Sequence, residues 1–347
     1  MTKVFIFGYP GDMGGANTEC WHTVKLWRKH DLDVHFIPTW GDDTKWQERL
    51  DSIGCVTHYL QPNEIESLPD LPGAITIGFC NSEYITQIPQ LRALGCKIVW
   101  VNCMTFMFDY ERVCFEEHGS ADAMIYQSEF QRTELERELK SCNYDFSKGH
   151  LIRGAFDLDE WKFQPQNHLK GDPFVVGRVA RPDPDKWSCN TWKIYSQIQY
   201  NNRRALMLGV NEHTLEKLGT TPSWADCLKP MAISAQQYYT CLHCLLPVNG
   251  GARENWPRAG LEAFATGVPV VAQNEWGWKE MIEHGVTGFL GNDDCELAHY
   301  AAVLAHDEKL RMEIVHNAYE KLKGELANPE EIWKSWNHVF ESVCTAS

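Results

Sequence analysis

The chain of 347 residues has no run of about 18 consecutive apolar residues, the length that a membrane-crossing helix requires. Its N-terminus, MTKVFIFGYPGDMGG, passes directly from an apolar segment into a glycine-rich turn and lacks the features of a secretory signal peptide. We therefore expect a cytoplasmic protein with no stable membrane span.

Disulfide and zinc frameworks are also missing. The 13 cysteines are scattered and odd in number, and the C-x-x-C pair of Cys241 and Cys244 has no second ligand pair at zinc spacing. Positive charge is scarce, since 32 Lys and Arg residues stand against 47 Asp and Glu, a formal net charge of −15. We expect reduced thiols, no metal centre, no cofactor and no broad nucleic-acid surface.

The glycine-rich segment GYPGDMGGA matches neither G-x-G-x-x-G nor G-x-x-x-x-G-K-[ST], which argues against dinucleotide and P-loop sites. What is present is an alternation of apolar strands with helix-length segments, typical of a parallel sheet with helices on both faces. The strands expected in the first half are residues 3–8, 33–38, 73–78, 97–102, 123–127 and 150–153.

Periodicity is lost over residues 156–173, which predicts a connection between two domains. Alternation then restarts. We predict an α/β protein with two Rossmann-like domains, and we expect a terminal helix beginning at Pro329 to pack back on the first domain. The expected strands of the second half are 174–179, 204–208, 241–248 and 268–272, and the domains are 1–157 with 329–347, and 158–328.

Ligands of open parallel sheets bind beyond the carboxyl ends of the strands. There, Gly14 and Gly15 would let a ligand approach the backbone, although a tight structural turn has the same composition. In VVGRVARPDPDKW, the side chains of Arg178, Arg181 and Lys186 are suited to phosphate, although a solvated, salt-bridged loop would look alike.

Residues 253–272, RENWPRAGLEAFATGVPVVA, predict a loop, a helix with Pro257 at its first position, and a strand after Gly267. Glu254 precedes the positive end of the helix dipole, and Glu262 lies about one and a half turns inside it. Carboxylates bind diols, and a helix N-terminus suits phosphate, so the two acids match the two ends of a nucleotide diphosphate sugar. A helix-terminal acid plus a surface acid would give the same spacing.

Glu254-x7-Glu262, followed by EAFATGVPVVA, Gly277, Glu280 and GVTGFL, resembles the C-terminal signature of the retaining family-4 glycosyltransferases with the GT-B fold. The segments VVGRVARPDPDKW, ALMLG, MIYQSEFQRTELE and GGANTE are similar to further segments of that family. The resemblance implies two Rossmann-like domains facing across a cleft, with the donor nucleotide held mainly by the second.

The resemblance also implies roles for single residues. Glu262 would bind the ribose and Glu254 the transferred sugar, while Arg178 and Lys186 would neutralise the leaving diphosphate, with Arg181 as a rival ligand. These implied catalytic residues are Arg178, Lys186 and Glu254.

Further candidates follow from the same comparison. Gly14 and Gly15 would face the phosphates or the acceptor. The family usually has a glycine where this chain has Pro257, and it often has a histidine near the reacting centre where this chain reads VWVNCMTF. The remaining donor-binding candidates are Asn255, Trp256 as a sugar-stacking ring, Pro257 and Arg258, and the acceptor-side candidates are Asn102, Cys103 and Thr105.

The expected activity is that of a retaining hexosyl- or pentosyltransferase. The donor would be a nucleotide diphosphate sugar, most simply of UDP or GDP, and the acceptor a glycan, a lipid-linked glycan, a metabolite or modified DNA. A sugar-nucleotide-binding module without transfer activity, or a GT-B phosphorylase or epimerase, is the alternative. Asp183 and Asp185 form an Asp-x-Asp pair, but the three cations of the same segment favour a metal-independent mechanism.

Overall fold

A computed structural model describes residues 2–12, 14–39, 41 and 43–345. The chain divides into two units, Met1–Asp157 with Pro329–Ser347, and Leu158–Asn328. The outermost residues of the expected first domain, Met1, Ala346 and Ser347, lie outside the described part.

Unit 1 is built on a seven-stranded parallel sheet with the strand order β3-β2-β1-β4-β5-β6-β7. Its strands are apolar on both faces because helices cover both: Val4 and Ile6 enter one core, and Phe5 and Phe7 enter the other. The strands are β1 Lys3–Phe7, β2 Asp33–Ile37, β3 Val56–Thr57, β4 Ile75–Phe79, β5 Lys97–Val101, β6 Ala123–Tyr126 and β7 Gly149–Leu151.

One face of this sheet carries the first helix together with the terminal helix, Pro329–Thr345, whose apolar stripe includes Trp336 and Phe340. The ring of Trp27 meets those of Trp336 and Phe340 edge-on at centroid distances of 4.8 and 5.4 Å. The labelled helices of unit 1 are α1 Gly15–Lys29, α2 Thr44–Ser52, α3 Ser82–Ala93, α4 Asp109–His118 and α5 Glu129–Leu139.

Unit 2 contains a four-stranded parallel sheet of order β10-β9-β8-β11 and a parallel pair, β12-β13. A parallel bridge between Leu245 and Val270 connects the two. The segment with Arg181 and Lys186 follows the carboxyl end of β8, and the loop with Glu254 follows the carboxyl end of β11. Because β8 and β11 pair in parallel, the two segments start side by side. The strands are β8 Phe174–Val179, β9 Arg203–Leu208, β10 Ala225–Leu228, β11 Cys244–Leu245, β12 Val271–Gln273 and β13 Phe289–Gly291.

The helices of unit 2 alternate with these strands, as in other Rossmann-like arrangements. Among the helices that the described residues form, none is long and apolar enough to cross a bilayer. The bounds are α6 Thr191–Gln197, α7 Glu212–Leu218, α8 Ala235–Tyr239, α9 Arg258–Thr266, α10 Trp278–Met281, α11 Asp294–His306 and α12 Glu308–Lys321.

The predicted α/β class with parallel sheets is confirmed, while several boundaries are wrong. The apolar run 241–248 pairs as a strand only at Cys244–Leu245, and the strand expected at 268–272 begins at Val271. Strands β3, β10 and β13 were not predicted. Each has four residues or fewer, too few to show a period of two.

Candidate functional site

The centre of the candidate site in unit 2 is an ion pair between Lys186 and Glu254. Lys186 Nζ donates to Glu254 Oε1 at 3.1 Å, although the two residues are 68 positions apart. Their side chains are 23% and 20% exposed, so the pair is accessible to a ligand but only partly hydrated. The sequence proposed both residues, and the fold brings their charges into contact.

Arg178, on β8, is buried next to this pair and does not reach the surface. It is 2% exposed, its Nη2 donates to the backbone carbonyl of Lys186, and its guanidinium carbon lies 5.4 Å from the centre of the Trp187 ring. Burial lowers the pKa of the guanidinium, and the nearby Glu254 carboxylate opposes that shift. Arg178 therefore holds the turn that carries Lys186 in position through this hydrogen bond.

Arg181 occupies a different environment in the same segment. Its guanidinium pairs with Asp183 at 3.2 Å, and both side chains are about half exposed. Asp183 precedes a 3₁₀ turn, Pro184–Lys186, that ends at Lys186. Arg181 and Asp183 thus form a surface ion pair, which is weak in water. The described residues contain no group of three or more His, Cys, Asp or Glu side chains placed to hold a metal ion.

The loop 249–257 packs directly on this turn. A Cβ at Gly250 would lie 1.9 Å from the carbonyl oxygen of Trp187, so only glycine allows this approach. Ala252 N donates to Asp185 O at 3.0 Å. Lys217, on α7, donates to Pro184 O at 2.7 Å and to the Gly250 carbonyl at 3.2 Å. Lys217 joins the two segments, a role that no local motif indicated.

The position of Glu254 depends on Gly277. Gly277 N donates to the Glu254 carbonyl at 2.9 Å, and a Cβ at Gly277 would lie 1.7 Å from the carbonyl oxygen of Asn255. The Gly277 in the sequence signature is therefore required sterically by the loop that carries Glu254.

The helix after Glu254 is α9, and it begins one residue later than predicted. Pro257 has extended backbone angles and is the N-cap, so Arg258 is the first helical residue. Gly267 ends the helix in a left-handed conformation, φ 88°, as the sequence predicts. Trp256 is 5% exposed, Asn255 and Arg258 are also buried, and the stacking role of Trp256 stays a prediction.

Glu262 lies one turn into α9 and has a partner that the sequence did not suggest. Tyr239 Oη lies 3.0 Å from Glu262 Oε2 and 3.0 Å from the carbonyl of Ala259. Burial raises the pKa of Glu262 to about 7, while the positive charge of Arg258 and the hydrogen bond from Tyr239 act in the opposite direction. Glu262 thus titrates near neutral pH.

In unit 1, Gly14 and Gly15 lie at the N-terminus of α1, after the carboxyl end of β1. Gly14 is the N-cap residue with φ 102° and ψ 146°, a conformation that favours glycine, and its carbonyl accepts from both the amide and the hydroxyl of Thr18. Helix α1 therefore begins at a backbone conformation that favours glycine, and the ligand-facing role of Gly14 and Gly15 stays a prediction.

The acceptor-side candidates follow β5. Asn102 is fully buried, and its Nδ2 donates to Glu111 Oε1 at 3.2 Å while its Oδ1 accepts from Met104 N at 2.7 Å. Burial raises the pKa of the Cys103 thiol well above its usual value, and Thr105 is buried. Asn102 therefore shapes the turn, and the proposed acceptor roles of the three residues stay predictions.

A family described as "Glycosyl transferases group 1" matches residues 231–321, which include Glu254, Glu262 and Gly277. The capsular polysaccharide biosynthesis glycosyltransferase CapM of Staphylococcus aureus is 26% identical over 227 residues, which are 61% of this chain and 58% of CapM. The chain thus spans less than two thirds of that relative's length.

Solved structures resemble the chain over nearly its whole length. Anabaena HepE in complex with UDP-glucose superposes with a TM-score of 0.75 at 16% identity and covers 99% of both chains. A second similar structure is a mutant of Staphylococcus aureus TarM in complex with fondaparinux, alpha-GlcNAc-glycerol and UDP. It superposes with a TM-score of 0.75 at 12% identity, and the match covers 98% of this chain and 100% of TarM. At these identities the likeness establishes the fold. The chain thus has the fold of the GT-B glycosyltransferases, and residues 231–321 and the CapM match give it sequence similarity to glycosyltransferases.

Proposed function

We propose that this protein transfers a hexosyl or pentosyl group from a nucleotide diphosphate sugar to an acceptor hydroxyl, with retention at the anomeric carbon. The observation that carries the proposal is the Lys186–Glu254 pair beside the start of α9, with Glu262 one turn further along. The HepE structure holds UDP-glucose, which supports UDP as the nucleotide, with GDP as the other candidate.

We assign each part of the donor to a group in unit 2. The ribose diol would bind the Glu262 carboxylate, which Tyr239 orients. The diphosphate would bind Lys186 and the N-terminal amides of α9, which carry the positive end of the helix dipole. The transferred sugar would donate its hydroxyls to Glu254. On donor binding, Lys186 exchanges the carboxylate of Glu254 for a phosphate oxygen.

Catalysis then depends on charge that develops on the leaving diphosphate as the glycosidic bond breaks. Lys186 stabilises that charge directly. Arg178 assists by holding the backbone carbonyl of Lys186 and thereby the position of the Lys186 side chain. The acceptor oxygen bonds to the anomeric carbon on the face from which the diphosphate departs. Its proton passes to an oxygen of the leaving phosphate, so no covalent intermediate on the protein is needed.

This mechanism takes no metal ion and no cofactor, because Lys186 and Arg178 supply the neutralisation that a divalent cation gives other transferases. The acceptor is a glycan, a lipid-linked glycan or a small metabolite. Modified DNA is disfavoured by the net charge of −15. We assign the activity to the cytoplasm.

Thermal-shift measurements with UDP, GDP, ADP and TDP test the donor first, since a ligand that binds only the folded state raises the melting temperature. The matching sugar nucleotides are then assayed for hydrolysis and for transfer, and the anomeric configuration of the product is read by NMR. Binding without either reaction would indicate a sugar-nucleotide-binding module. Phosphate-dependent cleavage would indicate a phosphorylase, and sugar inversion without an acceptor an epimerase.

A further inference from the structure

Lys217 is a charged residue of unit 2 that has no part in the mechanism proposed above. It lies in the last turn of α7, and its Nζ donates to the carbonyl oxygens of Pro184 at 2.7 Å and of Gly250 at 3.2 Å. Both acceptors are 33 positions away in the chain, in opposite directions. Pro184 begins the turn that ends at Lys186, and Gly250 belongs to the loop that carries Glu254. One ammonium group thus connects the two segments that form the ion pair.

The order of the strands explains why this lysine reaches both segments. In the four-stranded sheet, β8 pairs in parallel with β9 on one side and with β11 on the other. Helix α7 follows β9, the turn with Lys186 follows β8, and the loop with Glu254 follows β11. A Cβ at Gly209, just after β9, would lie 1.8 Å from the carbonyl oxygen of Ala180, just after β8. The chain after β9 therefore packs directly on the chain after β8.

Helix α7 has its own anchors, which do not involve Lys217. Asn211 Oδ1 accepts from Thr214 N at 2.9 Å, and Thr214 Oγ1 accepts from Asn211 N at 2.7 Å, a reciprocal capping box. Thr214 and Leu218 are buried, so the helix is also fixed by its packing. Replacement of Lys217 should therefore loosen the turn and the loop that it contacts, and leave α7 in place.

Both bonds come from a charged donor, and hydrogen bonds of this kind are roughly twice as strong as those between neutral groups. Within the residues that the structure describes, Lys217 forms no ion pair, so its charge acts on the two backbone oxygens. The Pro184 carbonyl also accepts from Trp187 N at 3.0 Å, the bond that closes the turn. Lys217 therefore holds the same carbonyl on which the shape of the turn depends.

We propose that Lys217 is a positioning residue of the donor site. It holds the turn and the loop at the spacing that lets Lys186 bind the diphosphate while Glu254 binds the transferred sugar. The inference rests on the proposed transferase function, because it adds a residue to that reaction. Lys217 acts through the two backbone carbonyls and not through a contact with the donor. Since small displacements of positioned groups cost up to about 100-fold in rate, its effect falls on turnover.

Lys217→Met tests the proposal, because methionine keeps an unbranched side chain and removes the charge and the N–H donors. The turnover number with UDP-glucose should fall by about tenfold or more, while KM changes by less than about threefold. Lys217→Arg keeps a charged donor and should recover most of the turnover. Lys193→Met is the matched control, because Lys193 is an exposed lysine of the same unit, on α6, and lies 3.9 Å from Asp294. It should leave turnover unchanged.

A double-mutant cycle tests whether Lys217 acts through the ion pair. The spacing of two groups matters only while both are present. In a Lys186→Ala background, Lys217→Met should therefore lower turnover by less than about threefold. Equal losses of turnover with and without Lys186 would contradict the positioning role, and so would unchanged turnover in Lys217→Met.

Hydrogen exchange of backbone amides gives a second measurement, which does not require turnover. Trp187 N donates to Pro184 O, and Ala252 N donates to Asp185 O, both at 3.0 Å. Lys217→Met should speed exchange of these two amides by about tenfold or more, while the amides of α7 keep their wild-type rates. Lys193→Met should change none of these rates.

Wild-type exchange of the Trp187 and Ala252 amides in Lys217→Met would overturn the proposal. Faster exchange throughout α7 would also overturn it, because Lys217 would then stabilise the fold in general. Absence of donor turnover by the wild type would refute the transferase function, and the exchange rates would still decide whether Lys217 holds the two segments. Failure of either hypothesis is therefore recognised separately.

Discussion

The ammonium group of Lys186 lies 3.1 Å from the carboxylate of Glu254, and the loop and the turn that carry them are joined by Lys217 and by the contact of Gly250 with Trp187. The positive charge of Lys186 and the negative charge of Glu254 compensate each other. In the proposed mechanism a nucleotide diphosphate sugar offers a phosphate to Lys186 and hydroxyls to Glu254 at the same time.

Glu254→Gln should reduce transfer by at least about 100-fold while UDP binding is kept or slightly strengthened. The substitution removes the negative charge and replaces one of the two accepting carboxylate oxygens with an amide donor, so the contact to the sugar hydroxyls weakens and Lys186 is freed for phosphate. Steady-state kinetics and calorimetry with UDP measure the two effects. Glu313→Gln, at an exposed position of α12, is the control. A comparable loss of UDP affinity in Glu254→Gln would contradict the sugar contact.

Lys186→Ala should lower turnover more than donor affinity, because the charge on the diphosphate grows towards the transition state. Arg181→Ala should change turnover little, since its pair with Asp183 is exposed. Arg178→Ala should lower both turnover and melting temperature, because it removes a buried side chain that holds the turn. If Lys186→Ala left turnover unchanged while Arg181→Ala lowered it strongly, the phosphate ligand would be Arg181.

Donor binding and stability should both depend on the protonation of Glu262. Its pKa is raised to about 7 in the folded protein, from an ordinary value of 4.5. At pH values between 4.5 and about 7 the folded state therefore binds more protons at Glu262 than the unfolded state does. The contribution of Glu262 to the unfolding free energy therefore falls as pH rises from about 4.5 to 7. Over the same range UDP-glucose affinity should increase, because the ionised carboxylate binds the ribose diol better.

The measurement is a series of chemical unfolding and donor titrations between pH 5 and 8, pH values that bracket the shifted pKa of Glu262. Glu262→Gln should flatten both profiles and weaken nucleotide binding by roughly 1–3 kcal/mol. Tyr239→Phe should move the binding midpoint to higher pH, because its hydrogen bond lowers the pKa of Glu262. Profiles of unchanged shape in Glu262→Gln would remove Glu262 from the donor site.

Gly277→Ala should damage the donor site without touching a donor ligand. The added methyl group would lie 1.7 Å from the carbonyl of Asn255, so the loop carrying Glu254 has to move. We expect donor affinity to fall and the unfolding free energy to drop by roughly 1–3 kcal/mol. Gly324→Ala is the control, because a Cβ there meets no atom within 4 Å. Equal losses of donor affinity and unfolding free energy in Gly277→Ala and Gly324→Ala would contradict the steric argument.

Turnover should survive EDTA, and Asp183→Asn and Asp185→Asn should be mild. Asp183 pairs with Arg181 at the surface, and Asp185 contributes its backbone carbonyl to Ala252 N. A sharp loss of turnover with EDTA that magnesium or manganese restores would replace the proposed mechanism with a metal-assisted one.

Local sequence determined the parts of the site that depend on one segment of chain. Gly267 ends α9 because a left-handed residue is needed there, and Pro257 marks its beginning within one position, so the spacing of Glu254 and Glu262 was predictable. Strand β8 was predicted with its observed bounds, since six consecutive residues gave a clear pattern. The α/β class followed from the alternation of such segments.

Tertiary structure decided everything that joins distant segments. The contact of Lys186 with Glu254, the bond of Tyr239 to Glu262 and the approach of Gly277 to Asn255 could not be predicted from the local sequence. Each contact depends on how the loops pack after the strands pair. The same holds for the two-residue strand β3, whose register the neighbouring β2 sets. Residue types supplied the charges and hydroxyls, and only the packing of the loops set their distances, their burial and hence the raised pKa of Glu262.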